Sequence, residues 1–378
     1  MSAQPSFDGA PERGTINFSV GQPSADLLPL ALLAGGCERF FKDAAPFDLN
    51  YGQRQGDARF RTVLADFLAG ASGAAVDPDT LMLTGGISQA LDYACSRLAK
   101  AGDVIFVEEP SYPFAFPIFR DHGLEIISVP VDAGGMDVDR FEQLLTQYRP
   151  TLVYTIPAFH NPTGRVLEAA HRERLLALSR QHGFTILADE VYQLLYHGTP
   201  PPPSFGTRIA AGNVVALGTF SKILAPALRL GWIQASPEPM QRLLASGALI
   251  SGGNFNHFAS HVVRKILEAG ELAAFVATLR ARYAERAQAM DAALGKHLAG
   301  VVRWEKPGGG YFFWLELPDG TDAATLEAAA RAAGTGFLTG SACSNAGGLR
   351  NCLRLSFAHY SVSDIHEGIA RLRRAFVR

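Results

Sequence analysis

A lysine near the middle of the chain follows an apolar run and could act as a nucleophile. Lys222 comes after residues 214–217, which are typical of a buried strand, in the stretch Gly-Thr-Phe-Ser-Lys-Ile-Leu-Ala-Pro. Loss of solvent lowers the pKa of an ammonium group, and the neutral amine is the form that attacks an aldehyde. Thr219, Ser221 and Arg229 flank this lysine, and hydroxyls with a guanidinium can bind a phosphate. A solvated surface lysine is the common alternative, which Lys222 alone does not rule out.

A glycine turn is a second possible phosphate element. The apolar run 81–84 ends in Gly85-Gly86-Ile87-Ser88, and a helical spacing of apolar residues follows. Glycine lets a ligand approach the backbone closely, and the first N–H groups of a helix bind anions. We expect Ser88 to cap this helix. A tight strand-to-helix connection without a ligand is the alternative. The chain has neither a G-x-G-x-x-G nor a G-x-x-x-x-G-K-[ST] motif for nucleotides.

Polar side chains also follow other predicted strands. Asp189 ends the run 185–188, and a carboxylate at a buried strand end needs a partner such as a protonated pyridine nitrogen. The alternative is a helix N-cap. Tyr192 could donate to a phenolate oxygen, and Tyr112 could stack on a ring, although each could equally pack in the core. Asn161 precedes a proline, where a purely structural turn is the alternative.

An arginine lies inside an apolar strand pattern near the end of the chain. Arg354 stands in Leu353-Arg354-Leu355-Ser356-Phe357. A buried guanidinium needs an anion, and a substrate carboxylate could supply it in a bidentate contact. An internal salt bridge with an acidic residue is the alternative.

The elements that position these residues alternate between strand and helix. Helical patterns, for example 141–148 and 171–181, separate most of the apolar runs. Such a pattern predicts an α/β fold with a mainly parallel sheet covered by helices, and ligands bind beyond the carboxyl ends of its strands. The predicted strands are 81–84, 104–107, 126–129, 152–155, 185–188, 214–217 and 230–234.

The last third of the chain predicts a smaller α+β domain. A long helical pattern covers 271–298, and strand patterns follow at 311–317 and 352–357. A chain of 378 residues is also long for a single core. We therefore place the change of domain inside the long helix.

Composition excludes several classes of function. The net charge of −2 provides no basic field for nucleic acid or an anionic membrane. The four cysteines lack the spacing of a zinc site or a disulfide framework, so we expect no metal. No apolar signal core begins the chain and no run is long enough to span a bilayer. These observations favour a cytoplasmic protein.

The ordered set of motifs resembles fold-type I, pyridoxal-phosphate-dependent aminotransferases of class I/II. The motifs are Asn161-Pro-Thr-Gly, Ala-Asp189-Glu-Val-Tyr192, Ser-Lys222 with Arg229-Leu-Gly, and Leu-Arg354-Leu-Ser. Gly21-Gln-Pro and Thr219-Phe-Ser-Lys-Ile-Leu-Ala-Pro resemble the branch of α-aminoadipate, kynurenine and aromatic aminotransferases and of MocR-type catalytic domains. The resemblance implies a large domain with a seven-stranded-type sheet at 45–275. It also implies a discontinuous small domain made of 1–44 and 276–378.

The resemblance implies a role for each matching residue. Lys222 would carry pyridoxal 5′-phosphate as a Schiff base and move protons, and Asp189 and Tyr192 would assist the chemistry. Tyr51 would reach the phosphate of a neighbouring subunit, which implies a homodimer with shared sites. The other cofactor contacts implied are Gly86, Ile87, Ser88, Tyr112, Asn161, Thr219, Ser221 and Arg229, and the substrate contacts are Arg354, Asn161 and Gly21.

The implied reaction is ping-pong transfer of an amino group between an L-α-amino acid and a 2-oxo acid. Leu27, Leu28, Phe255 and Tyr311 could line an apolar pocket, which favours aromatic, branched or long-chain amino acids, although core packing is the alternative for each. A carbon–sulfur lyase or other α-carbon chemistry is the main enzymatic alternative. A cofactor-sensing regulator is disfavoured, because only about fifteen residues precede Ile16 and a DNA-binding domain needs more.

Overall fold

A computed structural model describes residues 14–376 of the chain. Short 3-10 turns aside, the helices are α1 Leu30–Asp43, α2 Ala58–Ser72, α3 Ile87–Leu98, α4 Ala115–Asp121, α5 Val138–Leu145, α6 Ala169–His182, α7 Pro237–Leu244, α8 Gly247–Gly252, α9 His257–Glu268, α10 Glu271–His297, α11 Glu327–Ala332 and α12 Val362–Ala375. The strands are β1 Ile16–Asn17, β2 Leu81–Thr84, β3 Val104–Glu109, β4 Glu125–Asp132, β5 Gly135–Met136, β6 Pro150–Thr155, β7 Thr185–Asp189, β8 Val214–Thr219, β9 Gly231–Ala235, β10 Arg303–Trp304, β11 Phe312–Glu316, β12 Thr335–Gly336, β13 Leu338–Thr339 and β14 Cys352–Ser356.

A large sheet carries most of the polar residues that the sequence analysis identified. Its strand order is β2-β9-β8-β7-β6-β3-β4-β5. The pairs from β8 to β4 are parallel, whereas β9 is antiparallel to both of its neighbours. The predicted α/β fold with its seven strands is thereby confirmed. The sequence pattern missed the eighth strand, β5, because it has only two residues and pairs with β4 through a tight hairpin.

Helices cover both faces of this sheet, and the strand residues alternate between the two. Leu152 and Leu187 belong to a core cluster with residues of α3, α4 and α7, on the side called here the α3 face. Val153 and Ile186 belong to a second cluster with residues of α5 and α6, on the α6 face. Burial on both faces explains why these strands are continuously apolar in the sequence.

The start of α3 differs from the expectation. The helix begins at Ile87 and its N-cap is Gly86, so the prediction that Ser88 caps it is wrong. Gly86 has φ +86°, a conformation that glycine adopts without strain and serine does not. The helix therefore begins one residue before Ser88, which lies exposed in the first helical turn.

A smaller sheet follows the long helix α10. Strands β10, β11, β14 and β13 form an antiparallel sheet, in which the predicted strands 311–317 and 352–357 appear as β11 and β14. The N-terminal strand β1 pairs in parallel with β12, with Ile16 opposite Thr335. Residues from β1, α10, the smaller sheet and α12 share one hydrophobic cluster. The N-terminal segment therefore packs with the last third of the chain.

None of the helices within residues 14–376 has both the length and the apolar composition needed to cross a bilayer.

Candidate active site

Lys222 lies just after β8, with its amine enclosed by protein groups. Its Nζ donates a hydrogen bond of 3.1 Å to the carbonyl of Gly21 and lies 5.2 Å from the centre of the Tyr311 ring. Burial, together with the positive charge of Arg354, lowers the pKa of Lys222 to about 8, whereas Asp189 opposes the shift. A larger fraction of neutral amine is therefore present near neutral pH than for a solvated lysine.

Asp189 ends β7 and is only 3% exposed. Its Oδ2 accepts a hydrogen bond of 2.8 Å from the hydroxyl of Tyr154, whereas Oδ1 is buried without a hydrogen-bond partner among the described residues. Burial raises the pKa of Asp189 to about 6, against the lowering effects of Tyr154, the backbone N–H of Val191 and Lys222. A turn follows Asp189, so the alternative of a helix N-cap is wrong. The free oxygen fits a ligand that donates an N–H.

Arg354 is buried in β14 without a carboxylate to balance its charge. Its Nη1 donates to Asn161 Oδ1 at 2.9 Å and its Nη2 donates to the Ser19 carbonyl at 2.8 Å. The guanidinium carbon lies 4.1 Å from the centre of the Phe312 ring. Burial lowers the pKa of Arg354. Among the described residues no acidic side chain forms an ion pair with it, so the alternative of an internal salt bridge is wrong there. An anionic ligand would complete this arrangement.

Gly21 connects Lys222 to Arg354. Its carbonyl accepts the hydrogen bond from Lys222, and a Cβ at this position would lie 3.0 Å from Phe312 and 3.9 Å from Arg354 Nη2. A side chain would therefore fill the space next to the guanidinium. The backbone of residue 21 thus leaves room for a small ligand between the lysine and the arginine.

A group of N–H and hydroxyl donors lies at the start of α3 and the end of β8. Arg229 Nη2 donates to the Gly85 carbonyl at 3.1 Å, and a Cβ on Gly86 would lie 2.9 Å from this nitrogen. The Thr219 hydroxyl donates to Ser221 Oγ at 3.0 Å. The N-terminus of α3, from Ile87, adds free backbone N–H groups and the positive end of the helix dipole. This set of donors fits a phosphate.

Two tyrosines complete the cluster. The Tyr192 ring is 2% exposed and lies 5.2 Å from the ring of Tyr311. Burial raises the pKa of Tyr112, the charge of Asp189 raises it further, and Arg354 lowers it, so these three groups are near one another. The structure therefore brings both predicted tyrosines to the lysine, the aspartate and the arginine.

Tyr51 and some predicted pocket residues lie apart from this cluster. The Tyr51 side chain is 82% exposed, while Leu28 and Phe255 are 37% and 39% exposed. Leu27 is buried in the core, which leaves Tyr311 as the predicted pocket residue that contacts Lys222. The side-chain amide of Asn256 donates to the Arg229 carbonyl and links the loop before α9 to the phosphate-binding groups.

Two residues of the cluster were not identified from the sequence. Tyr154 holds one oxygen of Asp189, and the Phe312 ring supports Arg354. The only signal for Tyr154 was a phenol hydroxyl within a continuously buried strand, where a polar atom requires a partner. Phe312 gave no signal that distinguished it from any core aromatic residue.

These groups fit pyridoxal 5′-phosphate in four independent respects. Asp189 Oδ1 has no partner among the described residues and could accept from a ring nitrogen. The donors around Arg229 and the start of α3 suit a phosphate. Lys222 has a lowered pKa, as capture of an aldehyde requires. Arg354 lacks a counterion within residues 14–376, as a site for a carboxylate requires.

Comparisons with known proteins agree with this geometry. The model of the family "Aminotransferase class I and II" matches residues 13–372. The aromatic-amino-acid aminotransferase 1 of Thermococcus litoralis is 33% identical over 94% of this chain and 87% of its own length. The crystal structure of the α-aminoadipate aminotransferase of Thermus thermophilus, complexed with N-(5′-phosphopyridoxyl)-L-leucine, aligns with a TM-score of 0.87 and 33% identity over 96% of this chain and 92% of that chain.

A second solved structure is equally similar in fold. The kynurenine aminotransferase of Pyrococcus horikoshii, in complex with PMP, aligns with a TM-score of 0.90 and 29% identity over 96% of this chain and 91% of that chain. The expected branch of α-aminoadipate, kynurenine and aromatic aminotransferases is thereby confirmed. This protein belongs to the class I and II aminotransferases of fold type I and transfers amino groups between amino acids and 2-oxo acids, with pyridoxal 5′-phosphate as its cofactor.

Proposed function

We propose that the cluster around Lys222 is the transamination site and that it acts on L-α-amino acids with aromatic, branched or long side chains. The observation that carries this proposal is the pairing of a lysine of lowered pKa, which donates to the Gly21 carbonyl, with a nearby buried arginine that lacks a counterion among the described residues. Such a pair can hold a substrate carboxylate while a neutral amine reacts beside it.

Each residue has a proposed role in holding the cofactor. Lys222 would bind its aldehyde carbon, Asp189 Oδ1 would hold its ring nitrogen protonated, and Asn161 and Tyr192 would contact its ring oxygen. Tyr112 would stack on the ring. The phosphate contacts are assigned to Gly86, Ile87, Ser88, Thr219, Ser221 and Arg229. When bound, the cofactor supplies an electron sink for negative charge at the substrate α-carbon.

The chain's own groups then bind and deprotonate the amino acid. Arg354 would hold the α-carboxylate with help from Asn161 and Gly21, which fixes the orientation of the α-carbon. Lys222 Nζ would take the α-proton as a general base and return a proton as a general acid, which a pKa of about 8 permits near neutral pH.

The proposed preference for long or aromatic side chains rests on the rings around the site and on the relatives. Phe312, Tyr311 and Tyr192 lie close together, with the centres of the Tyr311 and Phe312 rings 5.2 Å and 6.1 Å from that of Tyr192. The relatives act, by their names, on aromatic amino acids, α-aminoadipate and kynurenine. Both observations favour a long or aromatic side chain over a short acidic one.

We also propose that two copies of this chain share their sites as a homodimer. Every exposed large hydrophobic residue within 14–376 lies in one of two segments, 28–51 and 250–258. The two segments contact each other, because the Phe41 and Phe258 rings are 5.9 Å apart. One apolar surface of this kind favours a second copy, which would cover Tyr51 and bring it to a neighbouring phosphate.

The division into a large domain at 45–275 and a small domain of 1–44 and 276–378 is part of the same proposal. The pairing of β1 with β12 supports the return of the N-terminal segment to the small domain. The four unpaired cysteines, three of them buried, support a reducing compartment such as the cytoplasm.

Borohydride reduction followed by peptide mapping tests the assignment of the lysine. We expect reduction to fix the cofactor on Lys222, and Lys222→Ala to lose turnover while the surface variant Lys306→Ala keeps it. Turnover near the wild-type rate in Lys222→Ala, or a label on another peptide, would overturn the assignment.

A panel of amino acids with a common 2-oxo acid tests the reaction and the substrate class. We expect kcat/KM for phenylalanine or leucine to exceed that for aspartate by about tenfold or more. Parallel detection of pyruvate and ammonia measures lyase chemistry. A preference for aspartate, or dominant release of ammonia, would contradict the proposed substrate or reaction.

A further inference from the structure

A cavity lies behind the strands that lead to the active-site lysine and aspartate. It has a volume of about 340 Å³, within the range of small-molecule sites. Its walls come from β8, β9, the end of α2, the segment from Glu190 to Thr207 and Ile223. Apolar side chains predominate in the lining, including Leu68, Leu194, Ile223 and the indole of Trp232.

This cavity is on the opposite face of the sheet from Asp189. Side chains alternate along a strand, so Asp189 shares the α3 face with Leu187 and Tyr154, whereas Glu190 points to the other side. Ala216 on β8 belongs to the cluster of the α6 face, and Gln234 on β9 is paired opposite it. Glu190, Ala216 and Gln234 all line the cavity. The cavity therefore lies mainly on the face away from Asp189, and Thr219 at the end of β8 borders both the cavity and the proposed phosphate contacts.

Two polar side chains lie in this largely apolar lining. Gln234 is only 6% exposed and its side chain lines the cavity, with Oε1 close to Gly206, where a Cβ would lie 2.5 Å from it. Gln193 Oε1 is buried and lacks a partner among the described residues. The Gln193 Nε2 already donates to the Pro202 carbonyl at 2.9 Å, which leaves Gln193 Oε1 and the amide of Gln234 as the polar groups that a ligand in the cavity can reach.

The indole of Trp232 shapes one wall. A Cβ on Gly218 would lie only 2.0 Å from the indole ring, so the ring rests directly against the backbone of β8. Phe220 packs against the indole from another side, with ring centres 5.1 Å apart, and these two contacts fix its position. A fixed, flat aromatic wall of this kind suits a planar ligand.

We propose that this cavity binds a small planar aromatic molecule that carries one hydroxyl group. The ring packs against Trp232 and the aliphatic side chains, and the hydroxyl pairs with the amide of Gln234. An amide offers both a donor and an acceptor, and a hydroxyl can satisfy either one. The carboxyl group of Glu190, which already accepts from the Phe205 N–H, disfavours an anionic ligand. The site is independent of the proposed substrate preference.

Fluorine NMR with para-fluorophenol and para-fluorotoluene on the holoenzyme tests this site. The two probes are similar in size, and the hydroxyl of one replaces the methyl of the other. We expect the phenol to bind with a Kd of about 1 mM or below and at least tenfold more tightly than the toluene, the equivalent of about 1.4 kcal/mol. Equal affinities for the two probes, or no binding of the phenol, would overturn the proposal.

Variants locate the bound probe. Ala71→Phe places a ring at the exposed rim of the cavity and should weaken binding at least tenfold, whereas Ala292→Phe on the exposed side of α10 should not. Gln234→Leu should remove the preference for the phenol and leave the affinity for the toluene unchanged. An unchanged affinity in Ala71→Phe, or displacement of the probe by excess amino-acid substrate, would place it elsewhere and refute the proposal.

Discussion

Replacing Asp189 with asparagine separates the chemical role of its carboxylate from its shape. Tyr154 can still donate to the side-chain oxygen of asparagine, so the side chain keeps its position at the end of β7. The atom at the position of the unpartnered Oδ1 becomes an NH₂ group, which donates and cannot hold a protonated ring nitrogen. Removal of one member of a buried charge pair costs about 3–5 kcal/mol, or roughly 10²- to 10⁴-fold in kcat/KM.

The same substitution changes the pH dependence of apoprotein stability in a calculable way. The pKa of Asp189 rises from 3.8 to about 6 on folding, so the folded state holds the proton more tightly than the unfolded state. The contribution of this group to stability is therefore largest below pH 3.8 and falls as the pH rises through 6. The full difference is about 3 kcal/mol. Asp189→Asn lacks this titrating group. The free energy of unfolding of the variant, compared with that of the wild type, should therefore rise by about this amount between roughly pH 4 and pH 7.

Glu190→Gln is the matched control, since it removes the adjacent carboxylate on the opposite face. Burial raises the pKa of Glu190 from 4.5 to about 7, which predicts a similar change in the stability profile. Chemical denaturation across this pH range should therefore show parallel profiles for the two variants. Only Asp189→Asn should lose activity at saturating cofactor. Activity near the wild-type level in Asp189→Asn would refute the assignment of the ring nitrogen to this carboxylate.

Three further predictions concern the other groups of the site. Arg354→Met should raise KM for the amino acid by about 10²-fold without loss of the cofactor absorbance, because a buried charged contact to the carboxylate is lost; an unchanged KM would contradict this. Tyr51→Phe should weaken cofactor binding about fivefold in a spectroscopic titration of the dimer, the cost of one hydrogen bond, and an unaltered Kd would argue against a shared site. Capture of the cofactor by the apoprotein should accelerate with rising pH, with a midpoint near the Lys222 pKa of about 8, and a midpoint near 10.5 would disagree with the burial of the amine.

The dimer surface allows a test that does not involve the chemistry. Phe47 is 78% exposed in the single chain and lies in the proposed interface. Phe47→Asp should shift the protein toward a monomer in sedimentation experiments and weaken cofactor binding, whereas Thr278→Asp on the exposed side of α10 should do neither. A dimer of unchanged stability in Phe47→Asp would place the interface elsewhere.

The sequence predicted the strands of the large sheet because burial on both faces leaves a continuous apolar run. β2, β7 and β8 were found for this reason, together with the polar residues at their ends. The antiparallel direction of β9 was not predictable, because strand direction depends on pairing with β8 and β2 rather than on local composition. The position of the α3 N-cap was missed because the positive φ of Gly86 outweighs the capping preference of Ser88.

The contacts that make the site selective were harder to predict. Tyr154 and Asp189 are 35 residues apart in sequence and meet because β6 and β7 pair in parallel. Arg354 and Asn161 meet across an even longer separation, at the junction of the two sheets. Side chains from distant elements form these contacts, whereas the spacing of apolar residues in the sequence predicts only local secondary structure.

Buried polar atoms without partners lie on both sides of the large sheet. Asp189 and Glu190 are adjacent, and burial raises the pKa of both, yet the backbone N–H groups of Phe205 and Gly206 satisfy Glu190 while one oxygen of Asp189 has no partner within residues 14–376. The unpartnered oxygen of Asp189 destabilises the folded apoprotein, and a hydrogen bond from the cofactor would remove this penalty. The stability of the folded chain should therefore depend on whether the cofactor site is occupied. On the other face, Gln193 Oε1 is buried without a partner among the described residues and imposes the same kind of cost. A ligand that binds the folded protein raises its Tm, so the phenol probe should raise the Tm of the wild-type protein more than that of Gln234→Leu.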